Sequence, residues 1–323
     1  MKLSAKELEI LAACETEAEL TFPAIAKRTG TKEHVVRRAL DTLTKKGVIR
    51  RRAYINSFLL GTAPYLLAFA LNTDGKRQRR KLLEYLQTLR EVSYFSEVGG
   101  RFNIFTEIRF RSVHQIQSFL DQLSLEFGNV FEEKEILALT SMSDLPTLAK
   151  IKDRPRLREF ATSISSLTVD LQELDLQILQ SLSQSFEESN TRIAKRLNIP
   201  LSTFEYHVKR LEKIGLILGS RYQIDLSLLG LTTFNHLVSA RGFHPALREK
   251  MLDFARHDPA VHCFRTFIGA WDFLFECHYQ SSEESIEFVE RLDAAHGADI
   301  DWVESVPVLK HGKVSDCTVP HPL

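Results

Sequence analysis

The chain has 323 residues, 44% of them apolar, which is enough for two or more domains with buried cores. Lysine plus arginine (42) equals aspartate plus glutamate (42), which excludes a uniformly basic protein but not a local basic face. No apolar run reaches the ~18 residues of a membrane helix, and segment 1–4 shows no secretory signal. The cysteines form no CxxC pair, which argues against a zinc ribbon, a redox motif or a disulfide framework, so we expect a cytoplasmic protein with reduced thiols. They are Cys14, Cys263, Cys277 and Cys317.

The sequence repeats itself at a nearly constant offset. Residues 7–54 align with residues 175–222 without a gap, with 13 identities in 48 positions. One inserted residue then brings residues 92–140 onto residues 261–309, and nine of the first 48 positions agree. A repeat this long is not a solenoid unit. It predicts a tandem duplication of a whole two-domain module.

Each repeat begins with three short helical patterns. Segment 4–7 is a capping box that begins the first helix. A second helix covers about 23–28, or 190–197 in the other repeat. The third helix carries apolar residues at i, i+4 and i+7, which indicates one buried stripe. The stripe consists of Val36, Leu40 and Leu43 in the first repeat and of Phe204, Val208 and Leu211 in the second.

A glycine follows each third helix, Gly47 in the first repeat and Gly215 in the second. This position suits the left-handed residue that ends many helices. Segments 48–54 and 216–224 come next, and each is predicted to be a short strand pair, or wing. Helix, helix, tight turn, helix and wing is the order of a winged helix-turn-helix domain.

The remainder of each repeat alternates strands and helices. In the first repeat, strand 65–71 precedes helix 76–89, and strands 92–98 and 101–110 meet at Gly99-Gly100, a two-residue hairpin signal. A helix and a strand complete the order βαββαβ, which is ferredoxin-like. Two helices cover one face of such a sheet, and the second repeat can cover the other. The predicted fold class is therefore α+β, with a winged helix-turn-helix and a ferredoxin-like domain repeated twice as a pseudo-dimer.

The repeats predict a division of the chain into six segments. Each winged helix precedes a ferredoxin-like ligand or assembly domain, and a segment with Pro146, Pro155 and mixed charges separates the repeats. We expect this linker to carry at most a short helix. The segments are 1–60 and 61–140 for the first repeat, 141–167 for the linker, 168–230 and 231–310 for the second repeat, and 311–323 for a tail.

The combination of motifs resembles the Lrp/AsnC, or feast/famine, transcription regulators. The resemblance covers nearly the whole chain twice. It is carried by Ile-Ala-Lys-Arg at 25–28 and 193–196, Leu-Gly at 60–61 and 229–230, and Gly-x-x-Asp at 269–272. It implies DNA binding, an amino-acid or other small effector, and association through the ferredoxin-like domains. The chain departs from the family at Ala39 and His207, where an arginine is common, at Lys32 and Pro200, where a polar cap is usual, and at Gly100-Arg101-Phe102-Asn103.

Charge favours the first repeat as the DNA anchor. Residues 1–60 carry 12 basic and 7 acidic side chains, whereas residues 168–230 carry 7 and 8. Basic side chains beside a recognition helix supply the phosphate contacts that DNA binding needs. We therefore predict that the first repeat anchors the protein and that the second reads a divergent half-site or acts mainly as a scaffold. The predicted DNA-binding residues are Lys32, His34, Arg37, Arg38, Lys45, Arg50, Arg51 and Arg52, and in the second repeat Ser202, Thr203, Tyr206, Lys209 and Arg210.

The resemblance also suggests an effector site at the Gly-x-x-Asp turns. The candidate residues are Gly100, Asn103, Gly269 and Asp272, although these glycines also suit plain hairpin turns. We expect no metal site, because His262 and Cys263 are consecutive in a strand and would point to opposite faces. No cofactor motif is present.

Two other functions remain open. Siroheme decarboxylases are similar to Lrp/AsnC proteins and use arginine and histidine near the wing and first strand for substrate carboxylates. Here Arg50, Arg51, Arg52 and Asn235-His236 lie nearby, but the expected Arg-His pairing is absent. A partner-binding scaffold without DNA contact is the third possibility. The favoured prediction is a DNA-binding regulator that is not an enzyme, with double-stranded DNA, a small effector and further copies of the chain as partners, and no membrane.

Overall fold

The protein is described from a computed structural model, for residues 3–146, 148, 159–163, 169–184, 188–242 and 244–314. Within these ranges, no helix has both the length and the apolar character to cross a membrane.

The element order is the same in both repeats: three helices and one strand, then βαββαβ. The first repeat contains α1 (Ala5–Ala12), α2 (Phe22–Thr29), α3 (Glu33–Lys45), β1 (Ile49–Ile55), β2 (Ala63–Leu71), α4 (Thr73–Thr88), β3 (Val92–Val98), β4 (Ile104–Phe110), α5 (Val113–Phe127) and β5 (Phe131–Asp144). A short strand, β6 (Phe160–Ser163), follows. The second repeat contains α6 (Glu173–Gln184), α7 (Asn190–Arg196), α8 (Leu201–Lys213), β7 (Ile217–Ile224), β8 (Thr232–Ala240), α9 (Pro245–His257), β9 (Val261–Ile268), β10 (Phe273–Tyr279), α10 (Glu283–His296) and β11 (Ile300–Val314).

Local signals set the boundaries of the helices in the first winged helix. Ser4 and Glu7 form the predicted capping box at α1, with reciprocal side-chain and backbone hydrogen bonds. The predicted stripe on α3 is buried in full. Gly47 follows α3 with φ +71°, a left-handed conformation that glycine adopts without strain.

The wings differ from the prediction of a strand pair in each repeat. Each repeat supplies a single strand, and β1 pairs with β7 in an antiparallel two-stranded sheet, with Ile49 opposite Ile224. The physical reason is that each segment has no turn of its own, so its backbone groups find partners only on the other repeat. The wings of the two repeats are therefore one shared element.

The chain also crosses over beyond the wings. Ala53, Ile55, Leu59 and Leu60 lie in the apolar core of α6, α7 and α8. Conversely, Tyr222 belongs to the core of α1, α2 and α3. The predicted division at residue 60 therefore separates the domains along the sequence but not in space, because these four side chains of the first repeat pack in the second winged helix. Neither winged helix has a complete core without the other repeat.

The two ferredoxin-like units share one ring of strands. Pairing runs β2-β4-β3-β11-β8-β10-β9-β5, and β5 also pairs with β2, so the ring closes. The helix-free faces of both sheets meet inside it around Phe102, Leu137, Trp271 and Val306. The helix-covered faces form separate cores, one with α4 and α5 and one with α9 and α10. The prediction that each repeat covers the open sheet face of the other is confirmed.

Closure of the ring leaves none of its strands with a free edge. Exposed sheet edges favour association between chains, but each of the eight ring strands has a neighbour on both sides. Further self-association, which the family resemblance implies, therefore stays a prediction, and the strand edges of the ring give it no support.

The predicted linker contributes to the sheet at both ends. Residues 141–144 continue β5, and Phe160–Ser163 pairs with them as β6. The short helix that the linker was expected to carry lies largely outside the described residues, as do most of the predicted tail and Cys317.

Candidate nucleic-acid interface and central cavity

The third helix of the first winged helix presents a basic face. The buried stripe of α3 fixes the opposite side against α1 and α2, so the predicted contact residues point outward. Arg37 is partly held in place, since its Nη2 donates to Glu33 Oε1 at 3.1 Å and its guanidinium lies 4.8 Å from the centre of the Phe22 ring. The exposed side chains are Lys32, His34, Arg37, Arg38 and Lys45.

The three wing arginines separate into different environments. Arg50 is exposed, whereas Arg51 and Arg52 are half-buried in the shared wing sheet. Arg50 and Arg52 line a cavity below the wings, and Arg52 Nη1 donates to the Ser183 carbonyl at 3.3 Å. Sequence reasoning placed all three at the DNA, but strand alternation turns Arg50 and Arg52 to the face of β1 that borders the cavity.

The third helix of the second winged helix has a less basic surface. Ser202, Tyr206 and Lys209 are exposed on α8, and Thr203 is half-buried. The acidic residues Glu205 and Glu212 also face solvent. This surface can donate and accept hydrogen bonds, but its field attracts phosphate less than that of α3 does.

The remaining predicted contact of this helix, Arg210, takes part in a buried network. Its Nη1 donates to Asp175 Oδ2 at 2.7 Å, and His207 Nδ1 lies 2.7 Å from Asp175 Oδ1. Burial would raise the pKa of Asp175, but hydrogen bonds from His207, the Gln172 backbone N–H and Arg210 outweigh it and lower the pKa. His207 replaces the predicted Val208 as the buried residue of the stripe. The reason is the buried carboxylate, which attracts a polar partner that hydrophobic periodicity does not reveal.

The predicted effector residues lie in turns between strands and bond to the backbone. Asn103 Oδ1 accepts from the Leu71 N–H at 2.7 Å, and Asp272 Oδ2 accepts from the Ala240 N–H at 2.8 Å. The expected two-residue hairpin at Gly99-Gly100 is instead a longer turn, because Asn103 is held against β2 and β4 begins only at Ile104.

The glycines of these turns have different surroundings. Gly100 has φ +94° with no atom near its missing side chain. Gly269 packs against Leu137 of the other repeat, where a Cβ atom would collide with the leucine side chain. The close approach that glycine allows here therefore serves packing between the repeats.

A cavity of about 1500 Å³ lies between the wing sheet and the strand ring. Its walls come from β1 and β7 above, from strands of the ring below, among them β4, β5, β9 and β10, and from α10 at one side. Sequence reasoning did not predict it, because it arises where the wings of both repeats meet a ring made by both repeats. Its size exceeds the usual range of small-molecule sites, about 300–1,000 Å³.

Buried ion pairs line the cavity. Arg221 of β7 donates to Asp144 Oδ2 at 2.7 Å and so ties the wing sheet to β5. Arg109 Nη2 lies 2.8 Å from Glu107 Oε1, while its Nε and Nη1 atoms have no hydrogen-bond partner among the described residues. Burial would raise the pKa of Glu276, but the charge of Arg265 and smaller contributions from the neighbouring histidines together outweigh it and lower the pKa.

Two histidines lie close together in the same wall. The ring centres of His262 and His278 are 5.0 Å apart. Burial lowers the pKa of His278 to about 4, so its imidazole is neutral near pH 7. His262 and Cys263 both line the cavity, so the argument that strand alternation separates them is wrong here. The pairing of β9 with β10 shifts register at this point, and such a bulge turns consecutive side chains to one side.

His236, considered with the wing arginines for substrate carboxylates, does not line the cavity. It is 0% exposed, with Nδ1 2.8 Å from Ser305 Oγ and Nε2 2.9 Å from Tyr279 Oη. Burial lowers its pKa to about 3. Sequence reasoning missed Glu276, Arg265 and Arg221, because isolated charges in strands carry no motif. The repeat offset was the available signal, since it aligns Glu276 with Glu107.

The sequence is similar to that of known regulators over part of its length. Residues 171–217 match a family model described as winged helix-turn-helix DNA-binding. An uncharacterized HTH-type transcriptional regulator of Pyrococcus furiosus is 26% identical over 131 residues, which are 41% of this chain and 87% of the relative. A similar regulator of Pyrococcus abyssi is 28% identical over 112 residues, or 34% of this chain and 70% of the relative.

The fold is similar to a solved structure over nearly its whole length. The siroheme decarboxylase NirDL superposes with a TM-score of 0.64 at 13% identity and covers 95% of this chain and 92% of its own. Its complex with an iron-uroporphyrin III analogue gives 0.63 at 12% identity, with 96% and 92% covered. The chain is therefore similar in sequence to HTH-type transcriptional regulators over 41% of its length, and its fold is similar to that of a siroheme decarboxylase over 95% of its length.

Proposed function

We propose that the protein is a sequence-specific DNA-binding transcriptional regulator of the Lrp/AsnC type and not an enzyme. The observation that carries this proposal is the geometry of α3, which buries one apolar stripe and exposes four basic or imidazole side chains, with exposed Lys32 at its N-cap, in a helix-turn-helix. In that motif the third helix enters the major groove and its outward side chains meet bases and phosphates. The regulator names of the Pyrococcus relatives agree with this assignment.

The two winged helices contribute unequally to this proposed interface. Arg38 is exposed on α3, whereas the arginine of α8, Arg210, is bound to buried Asp175. We infer that the first winged helix supplies most phosphate contacts and that the second reads a different half-site. A covalent pseudo-dimer allows this asymmetry, because its two halves are not constrained to be identical.

Selection of the full-length chain against a random DNA pool tests the proposal. Because the winged helices complete each other's cores, the intact chain is used and not isolated domains. Enrichment of a defined sequence is the expected result. Failure to enrich any sequence would refute DNA-specific regulation and favour the partner-binding scaffold.

Charge-removal variants then test the asymmetry on the selected DNA. Arg38→Ala should weaken binding and reduce the slope of log affinity against log salt by about one. Lys209→Ala on α8 should have a smaller effect. Arg77→Ala is the matched control, because it removes an exposed arginine from α4, away from both recognition helices. Equal losses for Arg38→Ala and Lys209→Ala would contradict the asymmetric arrangement.

A small effector is the second part of the proposal. The turns at Asn103 and Asp272 are the sites that the family resemblance suggests, and calorimetry with a panel of amino acids tests them. Binding heat that is present in the wild type and absent in the Asp272→Asn variant would support the turn at Asp272 as the effector site. No heat from any amino acid would remove amino acids as effectors.

A tetrapyrrole enzyme is the second candidate function. The specific observation that favours it is the cavity, which is large enough for a macrocycle and has arginines in its wall, among them Arg52, Arg109 and Arg221. Such side chains bind carboxylates in a bidentate manner. Incubation with siroheme under reducing, oxygen-free conditions, followed by absorption spectra and mass analysis, tests this candidate. Loss of carbon dioxide from the macrocycle would establish the enzyme and overturn the regulator.

A further inference from the structure

Three metal-ligand side chains converge in the cavity wall where β9 pairs with β10. His262, Glu276 and His278 each offer one nitrogen or oxygen atom, and these atoms lie within 4.8 Å of one another. Glu276 and His278 are two residues apart on β10 and share a face. The bulge in β9 brings His262 to the same side. Two imidazoles and one carboxylate form a ligand set that suits divalent first-row transition metals.

The first ferredoxin-like unit provides an internal comparison. It holds Ser93, Glu107 and Arg109 at the positions of His262, Glu276 and His278. There, Arg109 and the Ser93 hydroxyl both donate to Glu107 Oε1, at 2.8 and 3.1 Å. The Ser93 contact shows that the bulged residue of this strand reaches the glutamate.

The second unit keeps the glutamate but changes its neighbours. Histidines replace the serine and the arginine, so two lone-pair donors stand where a fixed cation meets the carboxylate in the first unit. Arg265 approaches Glu276 Oε2 only to 3.4 Å. A cation bound at this position would neutralise the Glu276 carboxylate, as Arg109 neutralises Glu107 in the first unit.

The hydrogen bonds of His278 are consistent with a ligand role. Its Nδ1 lies 3.1 Å from Thr233 Oγ1, while its Nε2 is buried without a hydrogen-bond partner among the described residues. With the Nδ1 proton donated to the threonine, Nε2 carries a free lone pair. Histidine ligands usually donate their other ring N–H to such an outer partner.

We propose that His262, Glu276 and His278 bind one divalent transition-metal ion, with Zn²⁺ as the probe of choice. Ligand atoms about 2.1 Å from a tetrahedral ion lie about 3.4 Å apart, so these side chains close in by roughly 1 Å on binding. Three protein ligands leave one coordination position open toward the cavity.

Metal binding breaks a contact between the wing sheet and the ring. Arg221 Nη2 donates to His262 Nε2, and the two atoms are 3.0 Å apart. An ion on Nε2 uses the lone pair that accepts this bond, and an ion on Nδ1 leaves the proton on Nε2, which then cannot accept. Either mode releases Arg221 of β7 from His262. Since β7 follows recognition helix α8, we infer that the metal regulates DNA affinity, and this part rests on the proposed function.

Zinc calorimetry on the intact, untagged chain after chelator treatment tests the site, with Co²⁺ absorption as the spectroscopic probe. We expect one ion per chain. His278→Gln and Glu276→Gln should each weaken binding at least about tenfold. His257→Gln is the matched control, because this exposed histidine lies at the end of α9. The zinc affinity of the His257→Gln chain should equal that of the wild type.

Thermal unfolding of the metal-free variants checks that they fold. If the His278→Gln chain does not fold, the isosteric Glu276→Gln chain still provides the test. No zinc binding, or wild-type affinity in a folded Glu276→Gln chain, overturns the metal site. Zinc binding that leaves the affinity for the selected DNA unchanged overturns the coupling alone. A chain that selects no DNA refutes the proposed function, while the zinc affinities still decide the metal site.

Discussion

His236 makes the stability of the protein depend on pH in a way that one substitution should remove. The imidazole is fully buried between Ser305 and Tyr279 and stacks on Phe288 at 4.5 Å between ring centres. Burial lowers its pKa from 6.5 to about 3 in the folded chain. Below pH 6.5 the unfolded chain therefore binds a proton that the folded chain does not. The stability that neutral His236 allows is present above pH 6.5 and is lost as the pH falls.

The magnitude follows from proton linkage. Each pH unit below 6.5 costs about 1.4 kcal/mol of unfolding free energy while the folded imidazole stays neutral. From about pH 6.5 to about pH 4.5 the loss from His236 is therefore about 3 kcal/mol. His236→Gln keeps hydrogen-bonding capacity without a titrating group. We expect this variant to be less stable than the wild type by about 1–2 kcal/mol near pH 7.5, because it loses the stacking on Phe288.

Urea unfolding at about pH 7.5, 6 and 4.5 measures this difference. Tryptophan fluorescence is a suitable reporter, because both tryptophans, Trp271 and Trp302, lie in the second ferredoxin-like unit together with His236. His278 also has a lowered pKa, but it is present in both proteins and cancels in the comparison. The gap between wild type and variant should shrink and then reverse as the pH falls. Two curves that stay parallel over this range would refute the reasoning.

Three further substitutions test other parts of the fold. Asp175→Asn leaves His207 and Arg210 without their buried carboxylate and should lower the unfolding free energy by about 3 kcal/mol, measured by urea titration at neutral pH. Gly47→Ala forces a side chain into a φ of +71° and should lower the unfolding free energy by about 1–2 kcal/mol, visible as a lower Tm. Trp271→Ala leaves a cavity in the core inside the ring, where the Trp271 side chain is 0% exposed, and should lower the unfolding free energy by about 3–5 kcal/mol. A change below about 1 kcal/mol at Trp271 would contradict its place in the shared core.

Local patterns predicted the elements well wherever the determining contacts are close in sequence. The capping box at Ser4 and Glu7 and the apolar stripe of α3 depend on neighbouring residues only, and both are present. On α8 the same reasoning named Val208 where His207 is buried, because Asp175 lies on another helix. A polar partner of that kind leaves no trace in hydrophobic periodicity.

The internal repeat and the order of elements were enough to determine that two winged helices and two ferredoxin-like units occur in one chain, since both follow from spacing along the sequence. Which strand pairs with which was decided only in three dimensions. The strands β1 and β7 are far apart in sequence, and they pair because neither segment folds back on itself to pair within its own repeat. That pairing places Arg221 above His262, and a bulge in β9 turns this histidine toward Glu276 and His278. The cavity and its ligand cluster thus depend on contacts between repeats, which sequence spacing does not encode.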